Sequence, residues 1–283
     1  MSNELDFLVD DANSTDQETV HIAGTSYPFI QWIVGDDKAD EESNLRFHGG
    51  FFAPATSIDL SGVAGWLPTY IKRNDKDGKS IKVEGFYAKR LNLTVVSQRH
   101  CYQVAPKGGQ VESFSHTQYE QAEARATVLR QVDSTIVAKK KSQFLIVIKG
   151  IEQPVMLTTK GVVAKAMSGQ TGLLQQFDRT VMAYVAAELK RAGSKNLLPM
   201  RRFWLDIGVP FDGKGQPIFA AFGPKGGTQK NLVVPSLTVP NPITGDYIKS
   251  IHVGAANKER FDKLYFDAVE WSKAWDTKGG STT

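Results

Sequence analysis

Several things are scarce in this chain, and each scarcity excludes a class of protein. It has one cysteine, Cys101, so it cannot form an internal disulfide. Its unbroken apolar runs, of which Phe144–Ile148 is the most strongly apolar, are all far short of the stretch a helix needs to cross a bilayer. The N-terminus, Met-Ser-Asn-Glu-Leu-Asp, has neither the basic start nor the apolar run of a secretory signal. These features predict a soluble protein of a reducing, cytoplasmic compartment, without a membrane partner. The histidines His21, His48, His100, His116 and His252 form no metal-type spacing. There is no nucleophile elbow, and Gly223–Thr228 lacks the Walker spacing. Asp75, Asp77, Gly78 and Glu84 imitate a calcium loop, but Arg73 occupies the first ligand position and no helices flank it. The expectation is therefore a non-catalytic protein with no cofactor and no metal, with an enzyme of unrecognised site as the last-ranked alternative.

Basic residues are also scarce at one end. Residues 1–45 contain eleven acids and a single base, Lys38. The whole chain carries +4, so the remainder carries +14 against the −10 of this arm. A body so basic attracts polyanions, and the arm repels them or competes with them. Residues 1–26 are polar and acidic with no sustained periodicity, and read as a disordered acidic tail. Within them, Leu5, Phe7 and Leu8 stand among acids. They read either as part of a solvated leader or as a docking peptide for a protein partner.

What is present is a globular body, residues 27–283, expected to be a single β-rich domain with 41% hydrophobic residues in the chain as a whole. Phe29–Val34 and Arg46–Phe52 predict strands, the second with a bulge or close approach at Gly49-Gly50. Residues 118–132 predict a helix on the stripe Tyr119, Ala122, Ala126, Leu129 and Val132, with a strand as the alternative. Gln143–Lys149 predicts a central strand, with Val155–Thr159 returning as a hairpin. Leu174, Phe177, Val181, Tyr184, Val185 and Leu189 give the clearest helical period, near 173–191, stopped by Gly193. Residues 203–209 and 217–222 predict strands about the turn 212–215. A C-terminal helix runs from about Lys258 to Trp275, with Asn257 as N-cap and Phe261, Leu264, Ala268, Trp271 and Trp275 as its apolar face. That face docks on the core or on a partner. The expected class is α+β, with an antiparallel, barrel-like (OB-like) β core.

The stretch with most functional character is 79–102, read as two strands, 81–87 and 91–97, joined by Lys89 and Arg90. Single-stranded nucleic acid is bound by cationic grooves interleaved with aromatic faces on which bases stack. Lys82, Phe86, Lys89, Arg90, Arg99 and Tyr102, with Lys139, Lys140 and Lys141 downstream, supply both kinds of group. Period two puts Phe86 on the face of Lys82 and Tyr87 on the other. The competing reading makes Phe86 and Tyr87 core residues and the lysines a solvated face. Gly223–Gly226 also matches a Gly-x-x-Gly backbone clamp, though an ordinary hairpin loop fits its position after a strand better.

The order of the segments PFIQWIVG, GGFFAP, VEGFYAKRLNLTVVSQRHCY, FLIVIKGIEQPVMLTTKG and RRFWLDIGVP resembles an uncharacterised family of phage- and plasmid-type proteins, over about residues 27–240. The plan of an acidic-apolar peptide beside a basic β-rich body is similar to that of single-stranded DNA-binding proteins, although there the peptide is usually C-terminal. These resemblances imply single-stranded DNA binding in replication or recombination of a mobile element. The alternative is a structural or assembly protein of a phage-like particle, in which case the chain would form oligomers.

Overall fold

The structure, a computed structural model, describes residues 27–37, 45, 48–74, 80–104, 112–134, 136–222 and 229–277. The N-terminal tail with Leu5, Phe7 and Leu8, residues 75–79 and residues 223–228 lie outside these residues.

The strands of the first half are β1 (Phe29–Ile33), β2 (Gly35–Asp36), β3 (Gly50–Pro54), β4 (Leu67–Asn74), β5 (Ser80–Ala88), β6 (Arg90–Val104) and β7 (Glu112–Ser115). After them come α1 (Tyr119–Arg130), β8 (Lys139–Ile148), β9 (Val155–Lys160) and α2 (Gly161–Ser168). The predicted helix near 173–191 is present as α3 (Leu173–Phe177), a π-helical turn (Asp178–Met182) and α4 (Ala183–Arg191). The remainder comprises β10 (Leu205–Gly208), β11 (Ala220–Phe222), β12 (Lys230–Val233), β13 (Ser236–Leu237), α5 (Gly245–Ile251) and α6 (Ala255–Thr277). Asn257 lies inside α6, its side-chain amide donating to the Val253 carbonyl at 2.9 Å, so it is not the N-cap expected from the sequence.

The class is α+β with a barrel-like core, and the main sheet runs β13-β10-β6-β8-β9-β1-β3-β5-β4, with β7 branching from β6. Its pairings are antiparallel except between β1 and β9, which run parallel, so the sheet is mixed where an antiparallel one was expected. A parallel pair needs a long crossover. Here the chain between β1 and β9 supplies it by building most of the other strands first. β11, β12 and β2 form a small second sheet. The Trp32 indole N–H ties it to the first by donating to the Val233 carbonyl at 3.3 Å.

β5 and β6 do not pair with each other. Four strands separate them in the sheet, yet only Lys89 lies between them in the chain. In a flat sheet five strand spacings amount to about 24 Å, which one residue cannot bridge. The sheet must curl until β5 meets β6, and the result is a half-barrel.

β8 shows how the layers arise. Its apolar half alternates between two cores. Phe144, Ile146 and Ile148 join Trp32, Phe51, Leu93 and Phe177 on one face. Leu145 and Val147 join Trp204, Phe261 and Ala268 on the other, where α6 docks. Phe261 and Ala268 of the α6 face are thus taken up by the body, with Leu264 and Trp271 packed at the margin, while the Trp275 side chain lies outside the described residues. Close packing also explains two glycines. A Cβ on Gly85 would stand 2.2 Å from the Ala53 carbonyl oxygen. One on Gly50, whose φ is +137°, would stand 2.4 Å from the Tyr87 ring.

Candidate nucleic-acid interface

The structure divides the cationic-aromatic stretch into four places. Its middle belongs to the core. Phe86 is 9% exposed and packs in the main cluster, so its ring is not available for stacking and the competing core reading holds for it. Tyr87 is 6% exposed, and its hydroxyl donates to the Gly49 carbonyl at 2.8 Å. Burial pushes that hydroxyl up to about 12.

At the bend, Lys89 lies 5.4 Å from the centre of the Phe211 ring. Arg90 donates to Asp206 Oδ2 at 2.8 Å and to Thr238 Oγ1 at 2.5 Å. Arg90 thus joins β6 to β10 and the segment after β13, and its charge is answered by Asp206. At the outer end of β5, Lys82 is exposed, 4.1 Å from the Tyr70 ring centre and 3.9 Å from Glu84 Oε1.

The fourth place lies at the far end of β6, about 40 Å along the strand from Arg90 at ~3.4 Å per residue. Here β6 pairs with the polar half of β8, so that Lys139 faces Gln103, Lys140 faces Tyr102 and Lys141 faces Cys101. On its other edge β8 pairs with β9, which sets Lys160 directly opposite Lys141. Lys139, Lys140 and Lys160 are exposed and Lys141 is half-buried. Like charges directly opposite each other are unfavourable, and three consecutive lysines beside a fourth intensify the positive field.

Aromatic groups border this end. Tyr102 is half-buried with its ring centre 4.9 Å from that of Tyr119, which is 49% exposed. Tyr119 begins α1, which Ala122 and Ala126 pack onto Val104 and Ile136. Arg125 fastens the same helix by a forked ion pair to Glu112, with contacts of 2.7–2.9 Å. The sequence reading noted Tyr119 only as part of a helical stripe, and it missed Lys160. Their proximity to the lysines arises from pairings between distant segments.

Arg99 has a different task. Its guanidinium lies 3.6 Å from the Trp271 ring centre and donates to Gln143 Oε1 at 2.7 Å and to the Trp271 carbonyl at 3.1 Å. It fastens α6 to the sheet. On the opposite face, the Gln98 amide nitrogen can only donate, so His100 Nε2 accepts from it at 3.1 Å and Nδ1–H donates to Ser142 Oγ at 2.9 Å. This is the neutral imidazole, in keeping with its surroundings: burial, then Lys140, then His116 hold His100 below its ordinary value. Cys101 is fully buried and its thiol is pushed up by that burial, which leaves it unreactive.

Among the described residues no group of three or more His, Cys, Asp or Glu side chains is arranged to hold a metal ion. Among the same residues no helix is long and apolar enough to cross a membrane. No protein-family model matches the chain, and neither the curated proteins nor the solved structures compared with it include a match.

Proposed function

We propose that this chain binds single-stranded nucleic acid, DNA in the first place, without catalysing a reaction on it. The contact surface is the lysine end of β8, which presents Lys139, Lys141 and Lys160 on one face of the sheet and Lys140 beside Tyr102 and Tyr119 on the other. The observation that carries the reading is the pairing of Lys141 against Lys160 beside two further exposed lysines. Four lysines placed so close together make a positive field, and a phosphate backbone is the kind of ligand that such a field attracts. The half-exposed Tyr119 ring, backed by Tyr102, offers bases a stacking face. Lys82 with Tyr70, and Lys89, belong to other parts of the surface and serve at most as outlying contacts.

The OB-like comparison extends to the plan alone, a curled sheet with a cationic-aromatic surface, since an OB-fold has five strands. The mobile-element setting, in replication or recombination, rests on the motif order alone.

The test is fluorescence anisotropy with labelled single-stranded DNA, duplex DNA and single-stranded RNA across a salt series. The expected result is tightest binding to a single strand, weakening steeply with salt. Absence of binding by all three at about 50 mM salt would remove the proposal.

The second reading, a subunit of a phage-like particle, has one observation in its favour. Among the described residues β4 ends the main sheet, and Leu67 and Tyr70 on it are 62% and 47% exposed. A free strand edge of that kind is a template for pairing with another chain. Self-association at micromolar concentration, measured by sedimentation, would favour it.

A further inference from the structure

The place where the acidic tail joins the body bears on the lysine surface. Tyr27 is the first described residue, and its ring lies edge-on to Trp271 with 6.2 Å between centres. Trp271 in turn carries the Arg99 guanidinium at 3.6 Å. The tail therefore leaves the body next to Arg99. Arg99 and Cys101 share one face of β6, and Cys101 pairs with Lys141, which pairs with Lys160. Period two adds Lys139 to that face. The point of departure and three of the four lysines thus lie on the same side of the sheet, with Lys141 about 7 Å along the strand from the level of Arg99.

Residues 1–26 contain Glu4, Asp6, Asp10, Asp11, Asp16 and Glu18 and no lysine or arginine. Glu18 precedes Tyr27 by nine residues, which span up to about 30 Å when extended. Every acid of the tail can therefore reach the lysines. A tethered segment of this length presents itself at an effective concentration in the millimolar range.

We infer that the tail of this same chain, residues 4–18, seats on the face formed by Lys139, Lys141 and Lys160 and screens it from nucleic acid. The screening rests on the proposed nucleic-acid reading; the contact itself does not. The tail is an internal polyanion, which a nucleic acid with more phosphates in register displaces and a shorter one does not.

Two measurements on the full-length chain test it. Carbodiimide coupling joins carboxylates to lysines in contact, and mass spectrometry of the digest locates the joints. At about 50 mM salt, Glu4–Glu18 should couple to Lys139, Lys141 or Lys160 and to few other lysines, and the joints should vanish at about 500 mM. Coupling that is absent, or spread over the lysines of the whole body, overturns the inference, whatever the chain binds. In the second measurement Asp6, Asp10, Asp11 and Asp16 are changed to Asn and Glu18 to Gln, and a labelled 20-nucleotide oligothymidylate is titrated. Affinity should rise about tenfold at low salt and converge with that of the unchanged protein at high salt. Specific coupling with unchanged affinity overturns the screening. Specific coupling when neither protein binds the oligonucleotide keeps the contact and removes the nucleic-acid reading instead.

Discussion

Arg90 and the β8 lysines lie at opposite ends of β6 and look alike in the sequence, each a short basic run at the margin of a strand. At the bend, Arg90 meets Asp206 and Thr238, and its charge is spent on joining β6 to β10. At the far end, Lys141 meets Lys160. What separates the two is what the neighbouring strand brings within reach: β10 brings Asp206, diagonal to Arg90, whereas β9 sets Lys160 directly opposite Lys141. A carboxylate within reach makes a fastening, and a second lysine directly opposite strengthens the local positive field.

The largest effect expected from breaking this contrast comes from charge reversal at the lysine end. Lys139→Glu, Lys140→Glu and Lys141→Glu together should weaken binding to a single-stranded oligonucleotide at least about a hundredfold, or ~2.7 kcal/mol. Circular dichroism should show the fold retained, because Lys139 and Lys140 are exposed and Lys141 half-buried. An intermediate effect, on stability and not on binding, is expected in the core half of the stretch. Tyr87→Phe leaves the Gly49 carbonyl without its donor and should cost about 1–2 kcal/mol in urea unfolding. The sign of its pH dependence follows from the raised hydroxyl. The unfolded chain ionises near 10.0 and the folded one at about 12, so the wild type loses stability as pH rises through that interval. The variant should lack that loss.

The smallest effect concerns His100, the neutral neighbour of the lysines. Burial, Lys140 and His116 depress it. Its stabilising contribution is therefore complete above the unfolded value near 6.5 and is lost as pH falls below it. Urea unfolding should show His100→Gln to be less sensitive than wild type to acidification from about pH 7 to about pH 5.

Much of the fold was legible because local pattern and tertiary outcome agreed. The helical stripe 174–189 faces one core, and Gln143–Lys149 has the unbroken apolar character of a strand buried on both faces. The interruption of that helix by a π turn, and the parallel β1–β9 pair, have no local signature. The candidate site was legible only in its residue types. Lys139, Lys140 and Lys141 announced a basic surface, but a strand period cannot say which of its two faces is covered. Phe86 lies on the face of Lys82, as expected, and that face enters the core before it reaches Phe86. The cation–π tie of Arg99 to Trp271 and the nearness of Tyr119 to Tyr102 join segments far apart in the chain, beyond the reach of any local reading.

The measurement that tests the central claim most directly compares two variants by the slope of log affinity against log salt. Each phosphate contact on a single strand contributes about 0.7 to that slope. Changing Lys139, Lys140 and Lys141 to Gln should reduce it by about 2, whereas Lys89→Gln with Arg90→Gln should leave it nearly unchanged. The opposite pattern, with the slope lost at the bend and kept at the lysine end, would contradict the account.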